Sequence, residues 1–113
     1  MSKAFGMHMF ALKPGVKAED FETFVTEEVY PLYSLEGSEV YVLKGDRGDR
    51  EGKYLVMWEF ESVEVRDRYF PSAGEMSPEV QQLFESWAAA MEKWAAFATP
   101  LETIYTDYVV VGK

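Results

Sequence analysis

The sequence contains no cysteine, no asparagine and a single histidine, His8. Without cysteine there is no disulfide framework and no thiolate chemistry, a composition suited to a reducing compartment. One histidine and no cysteine also argue against a structural zinc site. Basic charge is scarce: 11 Lys and Arg against 20 Asp and Glu leave a net charge of −9 at pH 7, and no basic residues cluster into a run. Nucleic-acid backbones are held by clustered Lys and Arg, so nucleic acid is not an expected partner. No apolar stretch reaches the roughly 18 residues of a membrane span, and MSKAFGMHMFALK has no long apolar segment before a small-residue cleavage site. A cytoplasmic protein with no membrane contact is expected.

What is present is oily and aromatic. Of 113 residues, 48% are hydrophobic and 16% aromatic, enough to build one core and too few for two, so residues 1–113 are read as a single domain. Residues 4–12 predict a strand that Pro14-Gly15 ends. A helix follows, with Glu19 and Asp20 in its first turn, a buried stripe of Phe21, Phe24, Val25 and Val29, and a stop at Pro31. EVYVLKG (39–45) and KYLVMWEFE (53–61) flank the turn DRGDREG and predict a β-hairpin. Ser62 caps a short helix that ends at Pro71. Ser77, Pro78 and Glu79 open a second long helix, whose stripe Val80, Leu83, Phe84, Trp87, Ala88, Met91, Trp94, Ala95, Ala98 runs through five turns to Pro100. LETIYTDYVVVGK predicts the last strand.

This order, β-α-β-β-α-α-β, predicts an α+β ferredoxin-like domain, an antiparallel sheet ordered 4-1-3-2 with helices on one face. Side chains alternate along a strand, so the first strand offers Phe5, Met7, Met9 and Ala11 on one side and Gly6, His8, Phe10 and Leu12 on the other. The third offers Tyr54, Val56, Trp58 and Phe60 against Leu55, Met57 and Glu59. Both faces are apolar, whereas an antiparallel sheet with one wet face alternates. Helices cover only one face, and a large exposed apolar patch marks an interaction site. A homodimer, sheet face against sheet face, is therefore expected, the alternative being terminal segments folded back over the open face of a monomer.

The junction LKPGVKAEDFETF (12–24), the hairpin, WEFESVEVRDRYF (58–70) and the alanine-rich helix before a final aromatic strand resemble the dimeric α+β barrel superfamily. That superfamily includes antibiotic-biosynthesis monooxygenases, haem-degrading monooxygenases, small polyketide cyclases and stress-responsive barrel proteins. The resemblance spans nearly the whole chain through loose motifs. It implies a barrel made by two sheets and, in many members, a ligand cavity beside the sheet. The chain departs from haem-degrading members in having no asparagine and in carrying its histidine on the first strand. It departs from the cyclases at Tyr69-Phe70-Pro71-Ser72-Ala73-Gly74, where they carry a His-Pro-x-His stretch. No cofactor is implied.

The all-apolar side of the first strand is the expected helix-facing core, which turns His8 toward the other sheet. Parity places Glu59 and Asp107 on faces that coincide with that of His8 for a suitable register. Three uses of such a cluster follow. A carboxylate can satisfy a core imidazole. It can orient His8 as a general base on a phenol or activated C–H, with Tyr41, Tyr54, Met57, Trp58 and Tyr105 as substrate walls. A one-histidine, two-carboxylate metal site needs three converging ligands and is not the expectation. The chain is thus either a cofactor-independent monooxygenase, cyclase or isomerase acting on a hydrophobic or aromatic small molecule, or a non-catalytic binding or structural dimer. Arg47-Gly48-Asp49 reads as an ordinary turn tip, and GDRGDREG lacks phosphate-loop spacing.

Overall fold

A computed structural model describes residues 2–72, 74–101 and 105–112. Strand β1 (Ala4–Leu12) ends at the Pro14-Gly15 turn, where Gly15 takes φ +86°. Helix α1 (Ala18–Phe24) carries Glu19 and Asp20 in its first turn, where the helix dipole favours negative charge. The helix continues as a π turn (Val25–Val29) and a 3-10 turn (Tyr30–Leu32) containing Pro31. Phe21, Val25 and Val29 are spaced by four, and the wider π winding keeps all three buried on one side. Strands β2 (Ser38–Lys44) and β3 (Tyr54–Phe60) form the expected hairpin. Gly45 is required at its neck, because a β-carbon there would lie 1.9 Å from the Arg50 carbonyl oxygen.

Helix α2 (Val63–Tyr69) starts at Ser62, whose hydroxyl accepts from the Val65 N–H at 3.2 Å, as a serine N-cap should. Ser77 caps α3 (Pro78–Ser86) in the same way, with Pro78 in the first turn. The expected second long helix is broken. Trp87, at φ −87° and ψ 2°, separates α3 from α4 (Ala88–Phe97). The break lets the Trp87 Nε1 donate to the Val29 carbonyl at 3.0 Å, tying the end of the first helical segment to the second. Ala98, expected in the helix, is extended and opens β4 (Ala98–Pro100). The expected last strand appears as β5 (Thr106–Val109), and residues 102–104 and 113 of that stretch lie outside the described residues.

The sheet runs β2-β3-β1-β4, with β5 also pairing β1, and every ladder is antiparallel. This is the expected 4-1-3-2 order, its fourth strand supplied in two pieces. β2 is an edge strand, and its Val42 N–H donates to the Tyr30 hydroxyl at 2.8 Å, which blunts part of the edge. All the helices lie over one face. On β3 that face is Tyr54, Val56, Trp58 and Phe60, all buried. The expected choice of face on β1 is overturned: the register pairs Ala4 with Phe60, Gly6 with Trp58, His8 with Val56 and Phe10 with Tyr54, so the His8 side faces the helices. Packing partners explain the reversal. The His8 side carries Phe10, which packs on Trp94, and Gly6, over which Asp107 and Tyr105 lie 3.4 and 3.8 Å from the place of a β-carbon, and close packing rewards such a fit more than a count of apolar side chains.

A polar tie joins α1 to the hairpin. The Tyr54 hydroxyl donates to the Glu22 carboxylate, which also pairs with Lys44 Nζ at 2.9 Å. The bond from Tyr54, then that from Lys44, holds Glu22 below its ordinary 4.5. Burial, with Glu22 adding to it, pushes Tyr54 above its ordinary 10.0. The Glu22 contribution to stability is therefore complete above pH 4.5 and is lost as pH falls through its lowered value. The Tyr54 contribution is complete below pH 10 and is lost as pH rises toward its raised value. Denaturant midpoints of Tyr54→Phe measured across pH should show a shallower fall at both extremes. The residual alkaline slope belongs to Tyr33, Tyr69, Tyr105 and Lys3, which are also raised.

Candidate functional site

The centre of the helix-facing side is Trp58. Its ring meets Tyr33, Phe70, Phe84 and Trp87, with centroids 5.7 to 6.3 Å away. A second aromatic group gathers around Trp94, which packs edge-on to Phe10 and Phe21 at 5.1 Å. His8 stands between them, with its ring 4.6 Å from Phe10 and 4.8 Å from Tyr105. It is half-buried, at the junction where β1 changes partner: Phe10 to Leu12 pair with β4, Ala4 to Met7 with β5. The Trp58 Nε1 donates to the Tyr105 hydroxyl oxygen at 3.0 Å. Tyr105 is 40% exposed as a residue, but its oxygen points inward. Burial raises its pKa, and the bond from Trp58 opposes that rise. A phenol that accepts one hydrogen bond still has its own O–H to donate.

The structure divides the eight candidate residues into two sets. His8, Tyr54, Trp58, Tyr105 and Asp107 belong to the helix side, Asp107 opposite Gly6 in the register. Tyr41, Met57 and Glu59 belong to the outer face, Tyr41 opposite Met57. The expected meeting of His8 with Glu59 is overturned, because adjacent-strand partners share a face and Glu59 pairs with Phe5, one residue out of phase with His8. Glu59 instead pairs with Lys3 at 2.5 Å. Asp107 is on the His8 side and pairs with Arg66 at 3.3 Å. Tyr54 and Trp58 are core residues, 2% and 3% exposed, rather than walls open to a substrate.

Arg66 completes the helix-side polar group, bonding Asp67 at 2.8 Å as well as Asp107. Nothing in VEVRDRY distinguishes it from a solvent-facing arginine, and only the fold carries it to β5. Among the described residues no three His, Asp or Glu side chains could hold a metal ion, and no helix is long and apolar enough to cross a membrane.

The outer face is different in kind. Phe5, Met7, Met9 and Ala11 of β1 lie there with Leu55 and Met57 of β3 and Tyr41 and Leu43 of β2. Tyr108 of β5, opposite Phe5, adds a side chain 51% exposed. Its polar members include Lys3, Glu39 and Glu59, toward one end of the sheet.

Among solved structures the chain is similar to a NIPSNAP family protein of unknown function from Agrobacterium tumefaciens, at TM-score 0.61 and 13% identity over 96% of this chain and 86% of that one. A second NIPSNAP family protein from the same organism matches at 0.57 and 14% over 98% and 93%. A Chloroflexus aurantiacus protein provisionally named an antibiotic biosynthesis monooxygenase matches at 0.50 and 17% over 100% and 96%. The chain shares the α+β fold of these structures, an antiparallel sheet with helices over one face. At these identities the likeness concerns fold alone. No family model and no curated protein matches the sequence.

Removing the Tyr105 hydroxyl strands the indole N–H of Trp58, a residue only 3% exposed. Tyr105→Phe should lose about 1–3 kcal/mol in chemical denaturation. Its tryptophan emission should also shift, since the N–H loses its acceptor.

Proposed function

We propose that the protein works as a homodimeric α+β barrel that binds a hydrophobic or aromatic small molecule. The observation that carries this reading is the outer sheet face, which bears large apolar side chains on four strands while the helices occupy the other side. Burying each such side chain fully is worth roughly 1.5–3 kcal/mol, and a second copy offers a self-complementary cover. Lys3 and Glu59 already neutralise each other at the end of that face, so covering it does not strand either charge.

For the small molecule, the helix-side junction of β1 with β4 and β5 supplies a histidine and a phenol beside aromatic rings. Few polar groups on an apolar wall is the usual composition of a small-molecule site. A second reading is a cofactor-independent monooxygenase or cyclase with His8 as general base. It is favoured by the fold of the Chloroflexus aurantiacus protein and by the His8–Tyr105 contact. Glu59 has no part in it, since it lies on the opposite face.

Sedimentation at micromolar concentration should give twice the chain mass. Met57→Glu puts a charge in the middle of the outer face without touching the helix-side core, and should weaken the dimer by at least about 2 kcal/mol, some thirtyfold. A compact monomer for the unmodified chain would refute the dimer.

Native mass spectrometry of freshly purified protein should show a bound small molecule. His8→Ala, with the dimer retained, should reduce its occupancy if the molecule lies at the junction. Retained occupancy with lost turnover would favour the enzyme.

A further inference from the structure

A cleft of about 390 Å³ opens on the outside of the helix layer, away from both sheet faces. One wall is the chain at 32–36, and the other is a single face of α3, where Glu79, Gln82, Leu83 and Ser86 recur at i, i+3, i+4 and i+7. Arg68 and Tyr69, at the end of α2, close it. The Tyr69 hydroxyl donates to the Glu36 carbonyl at 2.7 Å and ties α2 to the 32–36 wall. Leu35, Leu83 and Tyr69 are buried and form an apolar floor. Arg68 pairs with Glu79 at 2.9 Å on the rim, its guanidinium 5.3 Å from the Tyr69 ring centroid.

This volume suits a small molecule, and the rim selects its charge. An anion alone would meet the Glu79 carboxylate and the exposed Glu36 of the other wall, and a cation alone would meet Arg68. A molecule carrying both charges satisfies both. The Arg68–Glu79 pair is solvent-exposed, so it stabilises the fold little and exchanges readily for ligand groups. Arg68 also presents a fork that matches a carboxylate bidentately.

We propose that this cleft binds a small zwitterion with an aliphatic body, its carboxylate on Arg68, its ammonium on Glu79 and its side chain on Leu35 and Leu83. A free amino acid such as leucine is the simplest member of the class. The site is independent of dimer formation and of the His8 region.

The full chain, isotopically labelled, is titrated with leucine, N-acetyl-leucine and leucine amide, and amide chemical shifts are followed. Leucine should shift Gln82, Leu83 and Ser86 saturably, and each capped compound, lacking one charge, should bind at least about tenfold more weakly. Arg68→Ala should abolish the response. So should Ser86→Leu, which fills the groove and leaves the Arg68–Glu79 pair in place. No saturable shift up to about 10 mM, equal binding of the capped compounds, or an unchanged response in both variants would overturn the proposal.

Discussion

The burial of Trp58 with its N–H satisfied is the constraint on which the rest of the structure depends. The indole is 3% exposed on a central strand, and a group of that size needs space above the sheet and an acceptor for its nitrogen. Tyr105 supplies the acceptor, its ring lying over Gly6, the residue opposite Trp58 on β1. Tyr33, Phe70, Phe84 and Trp87 close around it from the helical side. Trp87 then reaches back to Val29, so both long helical segments are referred to one aromatic centre. With the helices committed to that side, Phe5, Met7, Leu55 and Met57 are left on the other.

The same constraint explains the lone histidine. His8 joins the Trp58 group, through Tyr105, to the Trp94 group, through Phe10. An imidazole in that place is aromatic toward both neighbours and polar at two nitrogens, so it joins packing and hydrogen-bonding capacity in one side chain. The two faces of the sheet therefore hold different resources: polar groups among aromatics on the helix side, nearly unbroken apolar surface on the outer side. The fold is shared with NIPSNAP family proteins and with a provisionally named monooxygenase, and function resides in the site rather than in the fold.

Much of the architecture was legible because its signals are local. Pro14-Gly15 and Pro71 mark ends, Ser62 and Ser77 cap helices, and the period-two runs on either side of DRGDREG form the hairpin. The candidate site was legible only in part. Asp107 does lie on the side of His8, yet Glu59 does not, because register between strands some fifty residues apart is set by packing that no local pattern encodes. Arg66 carried no signal at all. The break at Trp87 was hidden in a stripe that continues through it, since the reason for the break is an acceptor at Val29 on another helix.

By itself the sequence determined the hairpin, the capped helix starts, the order of the main strands and helices and the fact that both faces of the sheet are apolar, since propensity, caps and alternation act over a few neighbouring residues. Only the tertiary structure decided which face the helices take. Parity defines two faces without ranking them, and the ranking came from packing the Trp58 indole against Phe84, Trp87 and Tyr105, residues far along the chain.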